Sequence, residues 1–217
     1  DGRISIATNT KGLPPPSFNV TQLIQSFSLR NLSLRDMVTL SGKNSTIFLL
    51  MSSIIDCPQQ PTLVPFHNNN LSTCFFVLEV GGHTLGFGHC SSFNTRLYQF
   101  SKTNVIDPTM DPSFAQKLRS LCPLNKNSNN DGAFLDDTRF VFDNNYYTNL
   151  VKGRGVFTSD QSLFLDPRTK HIVEDYSSNQ QAFFSQFSKS MVKMSKVGIK
   201  TKSNGEIRAN CRIVNPS

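Results

Sequence analysis

The chain has 217 residues, of which 37% are hydrophobic and 17% are charged, and its formal net charge at pH 7 is +7. A chain of this length can bury one good core, or one domain with a small appendage. Its lysines and arginines are scattered and no nucleic-acid-binding motif accompanies them, which argues against nucleic acid and favours attraction to an acidic polysaccharide.

The first predicted elements are two short helices near the N-terminus. Asn19 can cap a helix because Gln22 follows three residues later, which is the spacing of a capping box. Ser33 and Asp36 repeat this spacing, which predicts a second helix that begins near Leu34. Apolar residues follow each cap at helical spacing, so both helices are expected to pack on a core.

Residues 43–81 break the helical pattern. They combine an apolar run, several prolines and three consecutive asparagines, without sustained amphipathic spacing. The apolar run is too short to span a bilayer, so no membrane span is predicted. A structureless stretch of this length is unusual inside a compact domain, and we interpret it as an irregular insertion.

A glycine-rich turn that carries a histidine comes next. His83 follows Gly81 and Gly82, and Gly86 lies three residues beyond it. Glycines leave space around the imidazole, which would let a large flat cofactor approach the backbone. A lone histidine is more often a surface or core residue than a metal ligand, so its interpretation depends on segments further along the chain.

Helical patterns account for most of the remaining chain. Asp111 followed by Pro112 forms a helix cap and a first turn, and helical spacing continues after them. Further helices are predicted for residues 144–152, 168–176 and 180–197, the last of which has phenylalanines and methionines along one side. Strand patterns are scarce, so the predicted fold class is all-α.

Cysteine and asparagine patterns bear on the compartment. The five cysteines show no Cys-x-x-Cys spacing, which argues against zinc, and an odd number leaves at least one thiol without an intrachain partner. Four Asn-x-Ser/Thr sequons favour a secreted glycoprotein. They begin at Asn19, Asn31, Asn44 and Asn70. No signal peptide precedes Asp1, and we expect that an N-terminal part is missing.

Three segments, taken together, resemble one protein family. They are residues 81–90, residues 142–147 (Phe-Asp-Asn-Asn-Tyr-Tyr) and residues 158–161 (Thr-Ser-Asp-Gln). In this order they resemble the plant secretory (class III) haem peroxidases, and the similarity extends over residues 1–42 and 82–217. The resemblance implies the all-α haem peroxidase fold, of which this chain would be the proximal half, with haem b and Ca²⁺ as cofactors.

The resemblance also implies an activity. Members of this family oxidise phenolic donors with hydrogen peroxide, remove peroxide in the response to oxidative stress, and are secreted to the cell wall or the vacuole. The family pattern Phe-His-Asp-Cys-Phe, which carries the histidine on the distal side of the haem, does not occur in the chain. The predicted function is therefore a haem peroxidase that lacks the distal histidine and arginine. The alternative is a non-catalytic remnant that binds calcium or cell-wall polyanions.

The resemblance assigns roles around the haem iron. His83 would be the proximal iron ligand, and Asp160 would accept a hydrogen bond from its other ring nitrogen, which raises the basicity of a ligating histidine. Phe134 would lie against the proximal ring, and Pro14 would border the haem edge where phenolic donors dock. The alternatives are a helix-capping role for Asp160, plain core packing for Phe134 and an ordinary proline-rich turn at Pro14.

A calcium site and a disulfide are implied in the same way. Thr84, Asp136, Thr138 and Asp143 match the proximal calcium ligands, with the Val141 carbonyl as a further donor. The spacing from Asp136 to Thr138 is one residue shorter than in the most familiar family pattern, and a solvated acidic turn is the alternative there.

Three cysteines match family disulfide positions. Cys90 and Cys122 would pair with each other. Cys211 would pair with a cysteine in the absent N-terminal half, so it is expected to be unpaired here.

The position of residues 43–81 suggests their origin. Without them, Gly42 would run directly into Gly82 and His83, as in the family pattern. The residues at both ends can be encoded with splice-site sequences, so we interpret the segment as a translated intron. An insertion at this point could displace His83 from a haem iron, which makes catalysis by this chain an open prediction.

Overall fold

A computed structural model describes residues 12–41, 83–124 and 131–200, together with residues 205, 207 and 213–215. Eight α-helices and one two-stranded sheet lie in these ranges, and the all-α prediction is confirmed. The proposed insertion at residues 43–81 and the cysteine at position 211 lie outside the described residues. Within the described ranges, every helix is too short or too polar to cross a lipid bilayer.

The helices follow one another in chain order. Their bounds are α1 Val20–Ser28, α2 Leu34–Ser41, α3 Asn94–Tyr98, α4 Pro112–Leu121, α5 Asn145–Val151, α6 Thr158–Leu165, α7 Pro167–Ser178 and α8 Gln180–Met194.

The predicted caps begin the first helices. In α1, the Asn19 side chain accepts from the Gln22 backbone N–H and the Gln22 side chain accepts from the Asn19 N–H, each at 3.0 Å. Before α2, the Asp36 Oδ2 accepts from the Ser33 N–H at 2.9 Å, and the Asp36 N–H donates to the Ser33 hydroxyl at 3.2 Å. These reciprocal bonds satisfy backbone donors that a helix start leaves free.

The larger hydrophobic core lies among α1, α2 and α5 to α8. Its buried side chains are Val20, Leu23, Leu32, Met37, Val38, Leu40, Tyr146, Tyr147, Leu150, Leu163, Ile172, Val173, Tyr176, Phe183, Phe187, Met191 and Met194. Asp36 is fully buried beside this core, where Ser190 and Lys193 of α8 donate to its two oxygens at 2.7 and 2.8 Å. Burial by itself would raise the pKa of Asp36, but the hydrogen bonds from Lys193, Ser33 and Ser190 outweigh it and hold the pKa well below its usual value.

A smaller core lies among α3, α4 and the two-stranded antiparallel sheet. Strand β1 Phe87–His89 pairs antiparallel with β2 Gly132–Phe134, with Phe87 opposite Phe134 and Gly88 opposite Ala133. The sequence did not predict these strands, because three residues are too few to show an alternating pattern. The buried members of this core are Cys90, Phe93, Leu97, Met110, Ala115, Leu118, Cys122, Ala133, Leu135, Val156 and Phe157.

Arg96 of α3 links the smaller core to the segment that enters α6. Its side chain is 1% exposed and donates to Asp107 at 2.8 Å. It also donates to the carbonyl oxygens of Gly155, Val156 and Phe157, which lie immediately before α6. The smaller core thereby fixes the entry of the helix that carries Asp160.

Candidate histidine and cation sites

His83 lies at the point where the two cores meet. It begins a single turn of 3₁₀-helix, His83–Leu85, just before β1, and it is buried. Its Nδ1 lies 2.6 Å from Oδ1 of Asp160, which is 77 residues further along the chain. An ionised carboxylate can only accept, so this contact assigns the proton to Nδ1 and leaves Nε2 as the lone-pair nitrogen.

The Asp160 carboxylate is held on all sides by donors. It lies in the first turn of α6 and is 1% exposed. Its Oδ1 also accepts from the Tyr146 hydroxyl at 3.0 Å, and its Oδ2 accepts from the Phe157 backbone N–H at 2.9 Å. Three donors compensate the energetic cost of burying this carboxylate, so its burial beside His83 does not require a cation.

Two aromatic rings fix the His83 imidazole. The ring centroids of Tyr146 and Phe157 lie 5.7 and 5.3 Å from that of His83, both edge-on. Burial, together with the nearby Asp160 charge, raises the pKa of Tyr146 well above its usual value. Sequence reasoning missed both residues, because nothing in the residue types distinguishes these aromatics from other core aromatics.

The described ring contacts of Phe134 do not include the His83 imidazole. Its ring contacts Phe87 at 5.3 Å and Phe140 at 6.0 Å, with the Arg139 guanidinium 4.9 Å from its centroid, and 38% of the residue is exposed. The aromatic contacts described for the imidazole therefore come from α5 and from the residue before α6. Phe134 instead packs against Phe87 of the neighbouring strand.

Gly86 serves packing. A Cβ at this position would come within 2.5 Å of the Leu135 side chain, which already fills the space beside the glycine. The interpretation of this glycine as room for a flat cofactor stays a prediction, and the Leu135 side chain is an additional reason for a glycine here. Gly81 and Gly82, to which the same interpretation was applied, lie outside the described residues.

The donor set at His83 fits a metal bound from one side. One ring nitrogen is engaged by a buried carboxylate, and no hydrogen bond reaches the other within the described part of the chain. Metal-ligating histidines have this arrangement, because the carboxylate fixes the tautomer and makes the free nitrogen a stronger donor. His83 therefore fits the role of a nitrogen ligand to a haem iron, with Asp160 as its hydrogen-bond partner.

Thr84, the residue after His83, lies in a group of oxygen atoms. The Thr84 hydroxyl lies 3.3 Å from both the Val141 carbonyl oxygen and Oδ1 of Asp143. The Thr84 hydroxyl can donate only one proton, and Oδ1 of Asp143 also accepts from the Asn145 backbone N–H at 2.8 Å. Hydroxyl, carbonyl and carboxylate oxygens are the ligands that Ca²⁺ takes in proteins.

Asp136 is buried in the same region with one oxygen unpaired. Its Oδ1 accepts from the Thr138 N–H, the Thr138 hydroxyl and the Asn145 side-chain amide, each at 2.8 Å, whereas its buried Oδ2 has no hydrogen-bond partner. Burial, with a smaller effect of the nearby Asp143 charge, raises the pKa of Asp136. Sequence reasoning missed Asn145, which binds Asp136 from the first turn of α5.

The unpaired oxygen fits a hard cation, although carboxylates alone do not make the site. No group of three or more His, Cys, Asp or Glu side chains suited to a metal occurs in the described ranges. A cation here would therefore need the hydroxyls of Thr84 and Thr138 beside the two aspartates.

Cys90 and Cys122 form a disulfide, with an S–S distance of 2.01 Å and a Cα–Cα distance of 5.6 Å. This is the pairing that the family resemblance implies, and it joins the start of the turn after β1 to the end of α4. Pro14 is half-buried in the turn before α1. The nearby Pro16 carbonyl accepts from the Ser159 N–H at 3.0 Å, so the proline-rich segment lies against the first turn of α6.

Comparisons with known proteins agree with one another. A family model described as Peroxidase matches residues 57–179, and its start falls within the segment interpreted as an insertion. Peroxidase 66 and Peroxidase 64 of Arabidopsis thaliana are 45% and 39% identical, each over 99% of this chain and 54% of the relative. Peroxidase 5 of Vitis vinifera is 35% identical over the same shares. The chain thus spans about half the length of these curated relatives.

Proposed function

Because the chain belongs to the peroxidase family, we propose that it forms the proximal half of a haem peroxidase, in which His83 would ligate the iron of haem b. The reaction would be the oxidation of phenolic donors by hydrogen peroxide. The buried hydrogen bond of 2.6 Å between His83 Nδ1 and Asp160 Oδ1 carries this proposal. Haem, when bound, supplies the redox chemistry with peroxide.

The residues of the chain act on the donor nitrogen. Asp160 holds the proton at Nδ1 of His83, so that Nε2 is the basic nitrogen that would bind the iron. Tyr146 and Phe157 keep the imidazole from rotating and exclude water from its edges. A strong nitrogen donor favours the higher oxidation states of iron, which peroxide chemistry requires.

The proton transfers at peroxide are assigned to no residue of this chain. The family pattern that carries the distal histidine does not occur in its 217 residues. Pro14 would border the phenolic donor, which is consistent with the contact between its segment and the first turn of α6. The role of Phe134 beside the proximal imidazole stays a prediction, since its described ring contacts are with Phe87 and Phe140.

Calcium is proposed for the neighbouring oxygen site. Thr84, Asp136, Thr138 and Asp143 would ligate it with the Val141 carbonyl, and the unpaired Oδ2 of Asp136 supports this assignment. We further propose a secreted protein of the cell wall or vacuole that acts in the response to oxidative stress. Its disulfide is typical of oxidising compartments, and its net charge of +7 would favour acidic polysaccharide.

The insertion is a proposal about the gene. Residues 43–81 separate Gly42 from Gly82, which the family pattern places side by side. Transcript reads that join the codons of these two glycines would support a translated intron. Transcripts that always retain the segment would contradict it.

Reconstitution with hemin tests the proposed function. The chain should give a Soret band shifted from that of free hemin, and peroxide-dependent oxidation of guaiacol above that of free hemin. The variant His83→Ala should lose both signals, whereas His171→Ala, at an exposed position on α7, should retain them. A band unaffected by His83→Ala would contradict the axial role of this residue.

A non-catalytic calcium-binding remnant is the second candidate. The unpaired Asp136 oxygen favours it, because this feature does not depend on haem. Calcium-dependent stabilisation without a hemin spectrum would support this candidate, and activity above free hemin would contradict it.

A further inference from the structure

Two donors compete for one oxygen of Asp160. Oδ1 accepts from His83 Nδ1 at 2.6 Å and from the Tyr146 hydroxyl at 3.0 Å. Oδ2 is taken by the Phe157 backbone N–H, so the carboxylate has no equivalent second oxygen to offer either side chain. His83 therefore does not receive the undivided charge of the carboxylate.

This contact distinguishes Tyr146 from the other tyrosines. The chain has four, and all lie in the described ranges. The Tyr147 hydroxyl donates to the carbonyl oxygens of Val38 and Thr39, and the Tyr98 hydroxyl donates to that of Cys122. Within the described contacts, Tyr146 alone donates to a carboxylate.

A donor on a carboxylate oxygen changes what a neighbouring donor receives. Hydrogen bonds to charged groups are shorter than those between neutral groups and roughly twice as strong. Hydrogen bonds that share a group in a low-dielectric interior also polarise one another. A phenol on Oδ1 thus draws charge away from the bond to His83 and lowers the basicity of its free nitrogen.

We propose that Tyr146 is a positioning residue that sets the strength of the His83–Asp160 hydrogen bond, and through it the donor strength of His83 Nε2. The part that concerns iron rests on the proposed function. The part that concerns the hydrogen bond is a property of the chain alone. The two parts can fail separately, and the experiments below measure each of them.

The first test uses the full chain without haem. Tyr146→Phe and Tyr147→Phe each remove one hydroxyl from a fully buried ring in adjacent positions of α5, so they are matched. In histidine labelled with ¹⁵N, the His83 Nδ1–H proton should move downfield in Tyr146→Phe, because its hydrogen bond shortens. It should stay in place in Tyr147→Phe, and the resonance is assigned by its loss in His83→Ala. An unchanged position in Tyr146→Phe overturns the inference.

A second reagent covers the case in which Tyr146→Phe fails to fold. Incorporation of 3-fluorotyrosine makes each phenol a stronger donor with little change of shape. The Nδ1–H resonance should then move upfield, opposite to the effect of phenylalanine. A purely structural role of the Tyr146 ring predicts no upfield shift, and its absence overturns the inference.

The third test uses the haem-loaded chain. Resonance Raman should place the iron–imidazole stretch of Tyr146→Phe at a higher frequency than in the unsubstituted chain, with a lower reduction potential, and Tyr147→Phe should match the unsubstituted chain. Equal frequencies in all three overturn the iron part. A wild-type chain without nitrogen ligation refutes the proposed function, and the apo proton shift still decides the role of Tyr146.

Discussion

Asp160 and Asp136 are two buried carboxylates, but their surroundings differ. Asp160 is 1% exposed and both of its oxygens accept hydrogen bonds. Asp136 is 4% exposed and its Oδ2 has no partner. The described residues therefore supply donors to both oxygens of Asp160 but to only one oxygen of Asp136.

The two carboxylates also draw their partners from different distances along the chain. Asp160 binds His83 across 77 residues and Tyr146 across 14. Asp136 is held by Thr138 and Asn145, which lie two and nine residues away. The histidine site thus forms only with the whole fold, whereas part of the cation site can form within one turn of chain.

Removal of the Asp160 carboxylate should have the largest effect. Asp160→Ala strands three buried donors, and each unsatisfied group costs about 1–3 kcal/mol, so we expect a loss of about 3 kcal/mol or more in the free energy of unfolding. Urea unfolding measures it. Asp137→Ala, at an exposed neighbour of Asp136, should change stability by less than about 0.5 kcal/mol. Similar losses in the two variants would break the comparison.

Calcium should affect the second carboxylate and not the first. At about 100 times its dissociation constant, a ligand of the folded state raises the unfolding free energy by about 2.7 kcal/mol. We expect this gain in the unsubstituted chain and in Asp137→Asn, and its absence in Asp136→Asn. Thermal unfolding with Ca²⁺ and with EDTA provides the measurement. A full calcium response in Asp136→Asn would show that this residue is not a ligand.

The ring contact at His83 should contribute less than the carboxylate. Phe157→Leu keeps the backbone N–H that binds Asp160 and removes the ring contacts with His83 at 5.3 Å and with Phe93 at 6.5 Å. A single core substitution of this kind costs about 0.5–3 kcal/mol. Urea unfolding should show this modest loss, with the Nδ1–H resonance of His83 retained. Loss of the resonance would mean that the ring, and not the carboxylate, holds the imidazole.

The smallest effect is expected from pH in the absence of a cation. The folded-state pKa of Asp136 is raised by burial, so its favourable contribution is present below the unfolded-state value and is lost as pH rises through the folded-state value. Asp136→Asn should therefore be slightly more stable than the unsubstituted chain at pH 7 in EDTA. Unfolding at several pH values should show that this advantage disappears in acid. A variant less stable at pH 7 would contradict the unbalanced-charge account.

Local features were predictable from the sequence and distant ones were not. The caps at Asn19 and Ser33 depend on residues three positions away, so spacing alone indicates them. The two-stranded sheet depends on the distant pairing of Phe87 with Phe134, and its strands are too short to show an alternating pattern. Fold class followed from the helical spacing of the apolar residues.

The site was predicted through family resemblance, not through residue chemistry. That resemblance indicated the pair His83 and Asp160, which spacing could not have brought together. It did not indicate that Tyr146 would share the carboxylate, because a tyrosine in an aromatic core gives no sign of where its hydroxyl points. The aromatic contacts at the imidazole were missed for the same reason.

Arg96 has a consequence for how the molecule comes apart. Its guanidinium donates to three consecutive carbonyl oxygens at the entry of α6, while its own helix packs in the smaller core. Its Nη2 is buried without a hydrogen-bond partner. Separation of α3 from the entry of α6 would leave three backbone acceptors and a buried cation without these hydrogen bonds, which makes local opening there unfavourable. The amides of α3 and of the first turn of α6 should therefore exchange with deuterium through one shared opening event.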